Sequence, residues 1–198
     1  MTEFRTEAGA PASPLVAHDS RTGHRALAIA LAVLLTTLGA YAEVSLPGTL
    51  VPVTLQSMVV ILAGVLLGPT VGAASQIAYV ALGAAGLPVF AGGGAGLAHL
   101  FGPTGGYLLS FPAAAAAAGL IAGPARAGAI ANARLLAGLV AGTLVVFAGG
   151  VPWLAFYTDS VERAVAIGFT PFLLGSLLKI IGAFAVAYRL RARTLRLL

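Results

Sequence analysis

Ser176 and Lys179 stand in the apolar run Pro171–Leu190. Three residues apart on a helix, they share a face. A charge at hydrocarbon depth costs roughly 2.5–3.5 kcal/mol on insertion scales unless it meets a cavity, a partner or the interface. An ammonium beside a hydroxyl forms a small polar site suited to a carboxylate and one further polar group. The competing reading is structural: the four-carbon stem of Lys179 lets its head snorkel to the interface. Weaker polar candidates gather at the ends of other apolar runs: Thr54 and Gln56, Phe90, the glycine run holding Gly93, His99 and Tyr107. Each has a bland alternative, since polar residues at helix ends are ordinary and tyrosine favours the membrane interface. Gln76 and Asn132 read as structural.

Enzyme chemistry finds little support in the residue types. The acids are Glu3, Glu7, Asp19, Glu43, Asp159 and Glu162, and none lies well inside an apolar run, so no carboxylate pair is set up for acid–base work. The histidines His18, His24 and His99 are scattered, and cysteine is absent, so no metal-ligand cluster is expected. The run Gly92-Gly93-Gly94-Ala95-Gly96 lacks the Gly-Lys-Ser/Thr that a phosphate loop requires. The chain is therefore read as a non-enzyme without cofactor or metal.

These candidates must be positioned by membrane helices. Of 198 residues, 59% are hydrophobic and only 9% charged, against about 25% charged in soluble domains. The expected class is all-α and polytopic, with six spans at roughly 26–42, 53–67, 70–87, 104–122, 135–157 and 171–190. Residues 1–24 read as a disordered cytoplasmic tail and 25–198 as one membrane domain. Pro88–Pro103 is too rich in glycine for a good helix and reads as a loop. With the N-terminus inside, Arg5, Arg21, Arg25, Arg126, Arg134, Arg189, Arg191, Arg193 and Arg196 are all cytoplasmic, leaving Arg163 outside and Lys179 in the membrane. This positive-inside pattern places both termini in the cytoplasm of a cell-membrane protein. It also accounts for the net charge of +5 without a nucleic-acid partner. Lys179 then lies about eight residues, roughly 12 Å, into the last span from the outer side. An outward-facing pocket under the outer loops follows. In the first span, Ala26/Ala30 and Ala28/Ala32 are interleaved small-xxx-small pairs, read as one flat face for packing within the bundle or for docking a partner.

Four ordered segments add a further reading: Val51-Pro52-Val53-Thr54-Leu55-Gln56, Gly86-Leu87-Pro88-Val89-Phe90-Ala91-Gly92-Gly93, Gly102-Pro103-Thr104-Gly105-Gly106-Tyr107-Leu108, and Pro171-Phe172 through Leu177-Leu178-Lys179. Together they resemble the BioY family, the biotin-specific substrate-binding (S) components of energy-coupling factor transporters. The resemblance covers about residues 26–190. It implies six membrane helices and biotin capture near the outer surface. It also implies a transmembrane coupling subunit and two cytoplasmic ATPases as partners, the alanine face of the first helix docking the coupling subunit. Lys179 would pair with the valerate carboxylate and Ser176 with the ureido group, while Phe90, Tyr107 and the Gly93 loop would enclose the bicycle. One departure stands out: the family usually has an aspartate where this chain has Ser176. Either another acceptor (Gln56, His99 or Asp159) takes that role, or biotin binds more weakly or the ligand is a related anion. The alternatives at this point are an S component for another small anionic vitamin and a non-binding structural membrane protein.

Overall fold

The computed structural model describes residues 14–45 and 47–197. The helices are α1 (Pro14–Tyr41), α2 (Gln56–Leu67), α3 (Pro69–Ala84), α4 (Gly96–Leu100), α5 (Gly105–Ala122), α6 (Ala129–Thr158), α7 (Val161–Gly168) and α8 (Leu173–Leu197). A short antiparallel hairpin of β1 (Glu43–Val44) and β2 (Val53–Thr54) joins α1 to α2, pairing Glu43 with Thr54 and Val44 with Val53. Among the described residues, Thr22–Tyr41, Gly105–Ala122, Ala129–Thr158 and Val161–Leu197 are long and apolar enough to cross a membrane. The class is thus an all-α membrane protein.

Several elements differ from expectation. α1 begins at Pro14, so part of the expected tail is helical; residues 1–13 lie outside the described residues. Pro88–Pro103 contains a 3-10 turn at Ala91–Gly93 and the helix α4, so it is more ordered than a loop. The outer connection Thr158–Thr170 holds α7, capped by Ser160, whose hydroxyl accepts from Arg163 N–H. The second span shortens to the twelve residues of α2, because Val53 and Thr54 are in the hairpin.

The bundle is welded by small residues, as expected where lipid supplies no hydrophobic drive between helices. A Cβ added to Gly64 would lie 2.0 Å from Ala115 O, and one on Gly119 2.6 Å from Gly64 O. One on Gly72 would meet Gly64 Cα at 2.7 Å. The backbones of α2, α3 and α5 therefore touch along one seam. A second seam joins α5 to α6, where a Cβ on Gly138 would come within 2.5 Å of Ala118 O. Gly68, with φ +82, turns the chain between α2 and α3, and Pro69 opens α3 at a position where its missing N–H costs nothing.

The far end is tied by cations. Arg191 is buried; its Nε donates to Val65 O at 2.9 Å and its Nη2 to Gly123 O. Thr194 Oγ1 donates to Leu66 O at 2.8 Å, and Arg134 Nε to Ile121 O at 3.3 Å. Terminal carbonyls of α2 and α5 are thereby satisfied by donors on α8 and α6, the favourable charge at a helix C-terminus.

The alanine pairs do not form one face. Ala32 is buried and Ala28 half-buried, both lining a groove with Leu62, Ala63 and Leu66 of α2. Ala26 and Ala30 are exposed on the other side of α1.

Gly64→Ala should lower the thermal unfolding midpoint of the detergent-solubilised protein, at a cost of about 1–3 kcal/mol for overpacking. Gly175→Ala, where the nearest atom to an added Cβ is 4.0 Å away, should leave the midpoint nearly unchanged. Equal midpoints for the two would contradict the α2–α5 seam.

Candidate functional site

The hairpin, α4, the N-terminus of α5, mid-α6 and the first two turns of α8 converge on a cavity of about 430 Å³. Its position follows from the shortness of α2. That helix starts only at Gln56, leaving the space above its first turn to be roofed by Leu50–Thr54. The close approach of α5 depends on its opening glycines. A Cβ on Gly105 would sit 1.7 Å from Leu100 O, and one on Gly106 2.2 Å from Trp153 Cβ. Trp153 Nε1 donates to Gly102 O at 2.9 Å, and Tyr157 Oη to Phe101 O, fixing the α4–α5 corner against α6.

Six sequence candidates line this cavity: Lys179, Ser176, Tyr107, Thr54, Gln56 and His99. Lys179 is half-buried, and its Nζ donates to Ser57 Oγ at 3.2 Å. Ser176 lies on the same face of α8, as its three-residue spacing requires. Among the described residues, no aspartate or glutamate lines the cavity, and the ammonium faces neutral groups. Tyr107 presents its ring, because its hydroxyl donates to Gly168 O at 2.8 Å at the end of α7. Gln56 is buried with its Nε2 donating to Tyr79 Oη, which in turn donates to Val89 O at 2.8 Å.

Two candidates stand elsewhere. Phe90 is fully buried behind the lining, edge-on to Tyr79 at 5.6 Å and stacked on His99 at 5.1 Å. It shapes the wall by supporting His99. Gly93 is absent from the lining, where Ala91 represents that loop; its φ of +74 serves the tight turn there. Tyr41 Oη donates to Pro88 O at 2.6 Å, tying this loop to the end of α1. Gln76, read as structural, is buried, its Nε2 on Thr36 and Ser75 hydroxyls and its Oε1 without a partner. Asp159, a suggested substitute acceptor, does not line the cavity.

The sequence reading missed Ser57, Thr143, Phe111, Phe147 and Phe172, all on the lining. Ser57 follows Gln56 directly and was legible as the next polar residue. Thr143, a hydroxyl midway along an apolar run, carried a faint signal, although its Oγ1 also donates to Leu139 O at 2.9 Å. The phenylalanines carried none. The result is a mostly apolar chamber with a few convergent polar groups and one cation, the usual composition of a small-molecule site.

The BioY family matches residues 14–196. A probable biotin transporter BioY of Pyrococcus horikoshii is 42% identical over 166 residues, covering 84% of this chain and 95% of the relative. The biotin transporter BioY of Thermotoga maritima is 40% identical over 157 residues, covering 79% and 89%. A crystal structure of the S-component for biotin from an ECF-type ABC transporter superposes with a TM-score of 0.76 at 27% identity, covering 92% of this chain and 96% of that one.

Burial lowers the pKa of His99 below the ordinary imidazole value, so the ring is neutral at pH 7. Because the folded value lies below the unfolded one, the unfolded chain takes up the proton first. Stability is therefore complete above about pH 6.5 and declines as pH falls below it. His99→Gln should flatten this acid-side decline in detergent unfolding midpoints between pH 7.5 and 5; a parallel decline in the variant would contradict the assignment.

Proposed function

We propose that this chain, which belongs to the BioY family, is the membrane-embedded biotin-binding subunit of a vitamin uptake transporter and has no enzymatic activity of its own. The observation that carries this reading is the Lys179 ammonium, held by the neutral hydroxyl of Ser57 in a cavity that no carboxylate lines among the described residues. A desolvated cation with a neutral partner favours an anionic guest that brings its own charge. Biotin is such a guest: a carboxylate on an apolar stem ending in a compact polar bicycle. In this reading Lys179 takes the valerate carboxylate, and Ser176 and Thr54 lie within the polar part of the chamber. Tyr107 and His99 supply ring surface for the bicycle. The names of the relatives and of the superposed S-component point to the same ligand.

The chain is further read as six spans with both termini cytoplasmic in the cell membrane. Supporting this, Arg126, Arg134, Arg189, Arg191, Arg193 and Arg196 belong to helix ends and connections remote from the cavity, while Glu43, Asp159, Glu162 and Arg163 belong to connections at the cavity end. Such a bias directs the arginine-rich end inward. The cavity then opens outward, where a vitamin arrives. α2 and α3 are shorter than a bilayer core, and their flanking non-helical backbone is tolerated because it lines a cavity or is covered by protein.

An energy-coupling module of a transmembrane subunit and two ATPases is the proposed partner, since the sequence carries no Gly-Lys-Ser/Thr phosphate loop to power uptake. The groove lined by Ala28, Ala32, Ala63 and Leu66 is the proposed contact, its small side chains allowing a helix close approach.

Lys179→Ala should weaken biotin binding about tenfold or more in equilibrium titration of the purified protein, with competing vitamins failing to displace the label from wild type. Unchanged affinity would mean that Lys179 only snorkels. Ala28→Trp should abolish co-purification with the coupling module while biotin binding persists; Ala26→Trp, outside the groove, should leave both intact. Equal effects at both positions would remove the groove from the contact.

A further inference from the structure

We infer that Gln56 is the hydrogen-bond acceptor that reads a ligand N–H in this cavity, and that Tyr79 is the positioning residue that turns its carbonyl inward; this rests on the biotin reading above. Among the described residues no carboxylate lines the cavity, so an acceptor for a ligand N–H there comes from a neutral group. Gln56 is 4% exposed and lines the cavity. Its amide is oriented by a directional chain. Tyr79 is completely buried, and its hydroxyl proton is committed to Val89 O at 2.8 Å. The same oxygen can then only accept from Gln56, and it receives Nε2. A flipped amide would set two acceptors against each other, so the network alone decides which end is nitrogen. The carbonyl must point away from Tyr79. Gln56 Oε1 is not among the fully enclosed, unpartnered side-chain atoms; within the described residues that situation belongs to Gln76 Oε1. Gln56 lines the cavity with its Nε2 already bonded to Tyr79, so the carbonyl is the end of the amide left for a ligand.

The Thr143 and Tyr107 hydroxyls, donating to Leu139 and Gly168 carbonyls, keep oxygens that can accept, and Ser57 accepts from Lys179. None of them is an amide carbonyl whose orientation is set by a buried hydrogen-bond chain, as that of Gln56 is. A cyclic urea with its N–H near the first turn of α2 would find an oriented amide oxygen there. A carbonyl or ether oxygen in the same place would meet an acceptor and be rejected, because a buried polar group facing no donor is costly to satisfy. Gln56 thus gives the site preference for N–H-bearing headgroups, and Tyr79 holds that preference from outside the cavity.

The test is a cycle between ligand and protein. Biotin and its two cyclic-carbamate analogues, each with one ureido N–H replaced by oxygen, are titrated into wild type, Gln56→Leu and Tyr79→Phe. In wild type one carbamate should bind roughly tenfold or more weakly than biotin, the value of one hydrogen bond lost in a dry site. In Gln56→Leu that difference should vanish. Tyr79→Phe should bind biotin several-fold more weakly while binding the carbamate as wild type does, which also reports an intact fold. A penalty in wild type that persists unchanged in Gln56→Leu would overturn the acceptor role, as would two carbamates equal to biotin in wild type. A Tyr79→Phe protein that keeps the full discrimination, or loses both ligands alike, would overturn the positioning role. Wild type that binds no biotin at all would overturn the functional reading, and this inference with it.

Discussion

Lys179 donates to Ser57 across the α2–α8 contact, and this single bond constrains much around it. An ammonium removed from water is costly unless its donors are met. Ser57 meets one; the others need the open space of the cavity. That space exists because α2 starts at Gln56 and the preceding strand crosses above it. A full-length second helix would fill the chamber with its own first turns. The short helix and the misplaced-looking charge are thus two aspects of one arrangement.

Shortening a helix in a membrane protein exposes backbone polar groups, and the fold answers at both ends of α2. Above, Leu55 N–H donates to Ala42 O at 3.2 Å, anchoring the chain where the hairpin closes. Below, Arg191 and Thr194 reach from α8 to Val65 and Leu66 carbonyls. α8 therefore holds α2 by a cation at each level, Lys179 at the start and Arg191 at the end. The twelve-residue step from one to the other corresponds to roughly 18 Å of helix. The glycine seams of α2 with α3 and α5 close the remaining sides with backbone against backbone.

The parts legible in the sequence were those set by local periodicity. Ser176 and Lys179 share a face because three residues is nearly one turn, and the structure puts both on the cavity. Thr54, Gln56, His99 and Tyr107 were found because they border apolar runs, and borders are where mouths of sites form. Phe90 and Gly93 were misplaced relative to the lining because the path of a glycine-rich loop depends on tertiary ties such as Tyr41 to Pro88, which no local pattern encodes. Phe147 and Phe172 were missed for the complementary reason. An apolar residue in an apolar run carries no mark of whether it faces lipid, core or cavity. α7 escaped because eight residues between spans are too few for a periodic signal to rise above composition.

The alanine pairs of α1 show the same limit in its simplest form. Residues two apart on a helix point about 200° from one another, so they do not share a face. Ala26/Ala30 and Ala28/Ala32 therefore had to separate, one pair outward and one toward α2. The motif alone cannot say which pair is which, because the answer depends on how α1 is rolled against its neighbours. Thr36 supplies that setting: buried, with its Oγ1 accepting from Gln76 of α3 at 3.3 Å, it faces inward. Ala32 and Ala40, four residues to either side, are buried with it. One buried polar contact thus fixes the roll of the whole helix, and with it which small-residue pair adjoins the groove and which faces away.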